Sequence, residues 1–405
     1  MTIKVSTYIC VVLFGSTSWL STNSVWLELP LLTENLPEGW SLPSYLTVVV
    51  QTASIGPLVY SIIRKFSKIS IPVPGVILTL LLFCCLCTGL MALFWSQTIF
   101  LFGQERSVTL MILLFGMALV NGTSNVLFMP YMATFHASYL TAYFVGMGLS
   151  ALFPSVVSIL QGSGNDCVVG NGTSKQINGV LRFDVAEFNF IMLGWMLLST
   201  AAFVYLTWLK NTESAEKKEL KQSTETTEDK LYADKLQLGL LLFLMATINA
   251  QMNGIVPSVQ SYASLPFSQK TYHLGLTLSN IVSPIVCFLP LFVQITRLSV
   301  LASLTVASAF LTALIITFAA MSPTPVLQFS AWGSAFIIII VVCSVALNSY
   351  LRTVLATVLG DDTTDNEMRL FWGGVFIQIG SFLGSLAMFP LINICNLFVP
   401  APPCP

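Results

Sequence analysis

The chain has 405 residues, 55% of them hydrophobic and 9% charged, with a formal net charge of −1; an ordinary soluble domain carries about a quarter charged residues. Together with a mean hydropathy of +0.82, this excludes a water-soluble globular fold, and the lack of basic excess excludes nucleic acid as a partner. Lipid is the solvent that fits such a composition.

A helical crossing needs about twenty apolar residues. On that measure spans fall near 6–27, 42–63, 73–95, 107–129, 139–161, 187–209, 236–257, 270–294, 299–320, 328–350 and 370–391. The expected fold is all-α, a polytopic membrane protein of about eleven transmembrane helices, with its termini on opposite sides. The first thirty residues have some features of a signal peptide, with Lys4, a short apolar run and the small residues Gly15 to Ser18. Apolar residues resume at once from Trp19 to Leu32, which suits a full span better.

Residues 210–235 are a run of Lys, Glu, Ser and Thr, read as a solvated cytoplasmic linker between an N-terminal half (1–209) and a C-terminal half (236–405). Placing the N-terminus inside puts thirteen Lys and Arg residues in the cytoplasm, Lys4, Arg64, Arg297 and Arg369 among them. Only four, Arg106, Lys175, Arg182 and Lys270, are left outside. The same topology puts the sequon Asn171-Gly-Thr in an outer loop, as a glycosylation site, whereas Asn121-Gly-Thr falls inside a helix.

Of the nine cysteines, Cys10, Cys84, Cys85, Cys87, Cys287 and Cys343 lie in apolar stretches without His or carboxylate and read as packing residues. Cys167, Cys395 and Cys404 fall in outer polar or Pro-rich segments. A disulfide among these three suits that location, and spacing does not select the pair.

The halves resemble one another. SYLTVVVQTASIGPLV from Ser44 aligns without gaps on TYHLGLTLSNIVSPIV from Thr271, and GLSALFP from Gly148 resembles GSLAMFP from Gly384. Asn23 before Pro30 corresponds to Asn253 before Pro257. Each pair is six spans apart, an even offset that preserves orientation. The expectation is two parallel pseudo-repeats, six helices plus five, as in the major-facilitator type of bundle built from two six-helix halves.

Polar residues at helical spacing mark faces turned away from lipid, because an unpaired polar group facing hydrocarbon is costly. Such stripes are Ser44, Thr47, Gln51 and Ser54; Asn121 and Asn125; Asn249, Asn253 and Gln260; His273, Thr277 and Asn280; Ser344, Asn348 and Arg352; and Gln378, Ser381 and Ser385. They line a central cavity or tie helices together, and six such helices favour the cavity. Trp19, Asn23 and Trp26 fall at i, i+4 and i+7, so two indoles flank an amide. That face suits a flat heteroaromatic ligand, although Trp19 equally suits an interfacial anchor. Glu28, in WLELP, is the one carboxylate inside an apolar run, and Pro30 places it at a kink.

Buried cations are nearly absent, with Arg352 the sole candidate, so a neutral solute is expected. The two histidines, His136 and His273, lie far apart, and neither HExxH nor GxSxG occurs. No enzyme activity and no cofactor or metal is expected.

NSVWLELPLL and LPEGWSLPSYLTVVVQ, between Asn23 and Gln51, resemble the riboflavin transporter family of animals (solute carrier family 52). NGTSNVLFMPYM, YFVGMGLSALFP, NGIVPSVQSY, TYHLGLTLSN and GSFLGSLAMFPLIN resemble family segments in the same order. The resemblance covers most of the chain and fades in 162–186 and 210–235. It implies eleven helices, a plasma-membrane location, sodium-independent uptake of riboflavin and, in some members, use by a retroviral envelope as a receptor. Riboflavin is neutral, with a flat ring, an imide edge and a hydroxyl-rich ribityl chain. The candidate binding set is Asn23, Trp26, Glu28, Tyr45, Gln51, Asn125, Asn253, Gln260, His273, Thr277 and Asn280. Met147 stands where the resemblance leads one to expect Glu or Gln, which leaves proton dependence open. Competing readings are a carrier of nucleoside-like solutes and a receptor that transports nothing.

Overall fold

Backbone that crosses lipid must satisfy its hydrogen bonds internally, so long apolar runs become helices. A computed structural model of the protein describes residues 5–57, 72–101, 103–133, 137–162, 166–170, 173–177, 181–213, 231–293, 295–328, 330–360 and 366–400. In chain order its helices are α1 (Val5–Ser16), α2 (Leu20–Leu27), α3 (Leu29–Asn35), α4 (Leu42–Thr52), α5 (Val73–Phe94), α6 (Val108–Ala133), α7 (Ala137–Gln161) and α8 (Val185–Glu213). They continue with α9 (Leu231–Ala250), α10 (Val256–Ser264), α11 (Gln269–Val286), α12 (Leu298–Ala320), α13 (Ala331–Gly360) and α14 (Asn366–Asn393). Two short antiparallel hairpins, β1–β2 (Ile99–Leu101, Gln104–Arg106) and β3–β4 (Asp166–Gly170, Thr173–Ile177), were not expected from the hydropathy pattern.

Among the described residues six helical spans are long and apolar enough to cross a membrane, or seven when α1 and α2 count as one bent span. Their exposed faces carry large apolar side chains. Leu82, Phe83 and Leu86 on α5, Val306 and Phe310 on α12, and Leu383 and Leu386 on α14 are exposed. An aqueous surface would not tolerate so continuous a belt.

Two expected spans are broken. α1 and α2 meet at 52°, where Ser16 and Thr17 turn their hydroxyls onto the carbonyls of Leu13 and Phe14. Local bonds of this kind compete with the helix ladder. α2 ends at Glu28 and α3 restarts with Pro30 in its first turn, where a missing N–H costs nothing. Between α9 and α10 the backbone passes through a five-residue π turn, Gln251–Ile255, ahead of Pro257.

The chain forms two packing units. The first comprises residues 1–39, 52–162 and 181–220, and the second residues 40–51, 163–180 and 221–405. In the first, Phe14 sits at the centre of a core with Phe128, Tyr143 and Phe203, at ring separations of 5.0, 5.8 and 4.7 Å. Backbones of α1 and α7 touch there. A Cβ on Gly146 would lie 2.2 Å from the Val12 carbonyl oxygen, and one on Gly15 would lie 2.4 Å from that of Tyr143. In the second unit Val259, Ile315, Ile337 and Val341 form one core, and Met245, Ile248, Leu351 and Leu355 another. Here α14 lies against α9 and the π turn. A Cβ on Gly380 would lie 2.1 Å from the Ala246 carbonyl oxygen, and one on Gly384 would lie 2.5 Å from that of Ala250. Small residues let helices approach in lipid, where no hydrophobic force drives them together.

Cys84, Cys85 and Cys87 are buried free thiols, and Cys395 is an exposed free thiol. Asn171 and Cys404 lie outside the described residues, as do the side chains of Cys167 and Asn125.

Candidate functional site

In the first unit the polar residues of the broken α1–α2 span are mostly tied to their neighbours. Asn121 is fully buried within α6. Its amide nitrogen donates to the Ser18 carbonyl at 3.0 Å, and its oxygen accepts from the Ser21 hydroxyl at 3.1 Å and from the Thr22 hydroxyl. A glycan has no access to this sequon. Ser18 also pairs with the Tyr143 hydroxyl at 3.0 Å. The Trp195 indole N–H donates to the Ser16 hydroxyl at 2.8 Å, and its ring stacks on Phe153 at 4.0 Å. Half-buried Asn23 donates from Nδ2 to the Ser150 carbonyl at 3.2 Å, holding α2 to α7. Trp26 is half-buried, and Met147 packs against the Phe14 core.

Glu28 is 1% exposed. Its Oε2 accepts from the Gln161 amide at 3.2 Å, while Oε1 is buried with no hydrogen-bond partner. A solvated interfacial carboxylate is not what the fold contains. A second buried acid, Glu38, escaped sequence reasoning. It accepts from the Ser107 backbone N–H at 2.8 Å and the Ser107 hydroxyl at 2.7 Å, placing a carboxyl group at the start of α6. Its partner lies 69 residues away, so no local signal could have revealed it.

In the second unit α4 is held by three side chains of the expected polar face and its neighbour. Thr47 pairs with Ser258 at 3.1 Å, Ser44 accepts from Asn393 at 2.8 Å, and Tyr45 meets Phe389 edge-on at 5.1 Å. Gln51, on the same helix, is buried. The π turn presents Gln251 and Asn253 outward from the ladder. The Gln251 oxygen accepts from Ser308 and Thr312 at 3.0 and 2.9 Å, and Ser308 also bonds Asn348. Asn253 donates to Ser381 at 3.1 Å. These amides therefore bind helix to helix.

Among the described residues of this unit five buried side-chain polar atoms have no hydrogen-bond partner: Gln260 Nε2, Tyr272 OH, Thr277 Oγ1, Ser279 Oγ and Ser344 Oγ. Four of the five lie on the neighbouring helices α10 and α11. Gln260 faces Gly275, where an added Cβ would stand 3.7 Å from Nε2. His273 and Thr277 are buried on a second face of α11, with half-buried Asn280 donating to its own helix at the Leu276 carbonyl. Leaving a buried donor or acceptor unpaired costs about 1–3 kcal/mol each, so α10 and α11 offer bonds that the fold itself does not use.

Among the described residues, Glu28 and Glu38 are the buried carboxyl groups and His273 the buried imidazole, and no Lys, Arg or Asp is buried. The interior offers amides and hydroxyls, with little charge. No cluster of His, Cys, Asp and Glu there has a metal-binding arrangement.

The chain matches the family described as "Solute carrier family 52, riboflavin transporter" over residues 3–236 and 210–400. It is 44% identical to the Caenorhabditis elegans riboflavin transporter rft-1, with 98% of each chain covered. To the Danio rerio solute carrier family 52, riboflavin transporter, member 3-B, it is 33% identical, again over 98% of each chain. Among solved structures, the POT family transporter PepTSo shares the fold at a TM-score of 0.61 and 11% identity, covering 98% of this chain and 92% of that one. The expected all-α polytopic fold is the one these structures share.

Proposed function

The chain belongs to solute carrier family 52, the riboflavin transporters, and from that premise we propose that it carries riboflavin across the plasma membrane by facilitative alternating access, without sodium coupling. The family and the relatives are transporters, not enzymes, and the protein is a multi-pass membrane transporter. The observation that supports the substrate is the uncharged polar interior. Its buried amides and hydroxyls, with unpaired atoms concentrated on α10 and α11, suit a neutral solute rich in donors and acceptors. A charged solute would call for a buried counter-charge.

In this reading Gln260, Thr277 and His273 on α10 and α11 bond the solute, together with Gln51 and Tyr45 of α4. Within the first unit Trp26 and Asn125 supply an indole and an amide of the same use, whereas Asn23, Asn253 and Asn280 spend their amides on the Ser150 carbonyl, the Ser381 hydroxyl and the Leu276 carbonyl and hold the fold. Glu28 braces the outer end of the first span. The N-terminus is cytoplasmic, the C-terminus extracellular, and Asn171 carries a glycan; residues 210–235 link an N-terminal half, 1–209, to a C-terminal half, 236–405.

The test is initial uptake of labelled riboflavin into proteoliposomes containing the purified protein, with sodium present or replaced, and with unlabelled flavin or nucleoside as competitor. Saturable uptake, competed by flavin alone and indifferent to sodium, is expected. Absence of uptake overturns the reading, and competition by nucleoside moves it to a nucleoside-like carrier.

A further inference from the structure

A serine or threonine inside a helix can always satisfy its hydroxyl by donating to the carbonyl three or four residues back. Across the second unit this is the rule. Ser258 donates to Gly254, Thr305 to Leu301, Thr353 to Ser349 and Ser385 to Ser381, at 2.6 to 3.0 Å. Ser279, 6% exposed, makes no such bond, and neither do Thr277 and Ser344. The Ser279 hydroxyl finds no protein partner.

Ser279 shares a face of α11 with Tyr272 and Gly275, at i, i+3 and i+7. The Tyr272 ring is fully buried, and its hydroxyl is also unpartnered. Gly275 is where the Gln260 amide approaches, at 3.7 Å from the position of a Cβ, and Gln260 Nε2 is unpartnered too. Farther along the face Ser283 is occupied, bonding Ser349 of α13 at 2.8 Å. One stretch of a single helix face, two turns long, thus gathers two hydroxyls and an amide N–H whose bonds are unused.

We propose that the Tyr272–Gly275–Ser279 face, with the Gln260 amide opposite Gly275, is a subsite for the polyhydroxyl chain of the transported solute. The proposal rests on the riboflavin reading above and deepens it. Hydroxyls that both donate and accept match a chain of alcohols, each of which does the same. A ring system would want an aromatic face to stack on, and the side chains named on this face bring unpaired hydroxyls and an amide N–H instead. A phosphate would want a cation or a cluster of N–H donors, and neither belongs to this face.

The experiment compares two flavins on purified full-length protein, riboflavin and its 10-methyl analogue lumiflavin, which has the same ring without the ribityl chain. Binding is read from ligand-dependent thermal stabilisation and from competition in uptake, for wild type, Tyr272→Phe and Ser279→Ala. Each variant removes a hydroxyl that makes no bond within the protein, so the ligand-free melting temperature should hold. Riboflavin should bind about three- to tenfold more weakly in each variant, while lumiflavin binds as in wild type. Equal weakening of both ligands, or weakening of neither, overturns the subsite. Wild-type protein that binds no riboflavin removes the transport reading, and the subsite with it.

Discussion

The two packing units repeat one design and differ in what they leave unfinished. Each contains a span broken in its middle, by a 52° bend after Ser16 in the first and by the π turn at Gln251–Ile255 in the second. Each locks that span to a later helix through glycines in backbone contact, and each sets an asparagine near the break. Asn23 reaches the Ser150 carbonyl at 3.2 Å, and Asn253 reaches the Ser381 hydroxyl at 3.1 Å. The first unit then ties the polar groups around its break to one another, as Asn121 and Ser18 show. The second leaves Gln260 and three hydroxyls of α11 unpaired. The lesson is that a polar residue in a membrane interior serves structure where its bonds are closed, and serves a ligand where they are open.

The largest effects should come from the glycines that the units use alike. Gly146→Ala places a methyl 2.2 Å from the Val12 carbonyl oxygen, and Gly380→Ala places one 2.1 Å from that of Ala246. Neither backbone can yield without separating helices, at a cost of about 3 kcal/mol. Both variants should lose folded protein, measured by surface labelling and size-exclusion profile. Normal yield in one would show that the units are not built alike.

Glu28 comes next, as the open bond of the first unit. Glu28→Lys buries a cation, at a cost of about 2.5–3.5 kcal/mol on insertion scales, and should abolish uptake. Glu28→Gln can keep the contact with Gln161 while losing the charge, and should lower uptake about three- to tenfold. The readout is initial riboflavin uptake normalised to surface protein. Wild-type rates in both variants would remove Glu28 from the transport machinery.

The smallest effect sharpens the comparison on the side of the second unit. Gly275→Ala puts its methyl at ordinary contact distance, 3.7 Å from Gln260 Nε2, so KM should change less than about twofold. Gly275→Leu covers the amide and should raise KM about tenfold with surface expression retained. A Leu variant with unchanged KM would show that solute does not approach Gln260 from that side.

Much of this architecture was legible in the sequence because lipid imposes one requirement, a run of apolar residues long enough to cross. The span expected at 73–95 is Val73–Phe94, and that at 299–320 is Leu298–Ala320. The breaks were less legible. Pro30 and Pro257 announced them, yet the bend after Ser16 depends on hydroxyls folding back onto carbonyls, which composition does not reveal. The polar stripes were visible as stripes, but whether a stripe is closed or open depends on partners distant in sequence. Asn253 and Gln260 read alike along the chain; Ser381, 128 residues away, closes the first, and the Gln260 amide N–H remains open. Tyr272 and Ser279 fell beside the expected His273, Thr277 and Asn280 face because helical spacing ranks polar residues without regard to local bonds.

The most direct test of this division is a titration of riboflavin, followed by its own fluorescence, into purified Asn121→Ala and Gln260→Ala proteins whose melting temperatures are measured in parallel. Asn121→Ala breaks closed bonds, and should lower the melting temperature by several degrees while leaving riboflavin affinity unchanged. Gln260→Ala removes an open one, and should leave the melting temperature unchanged while weakening affinity about tenfold. The opposite pattern, with Gln260→Ala unstable and Asn121→Ala weak in binding, would contradict the account.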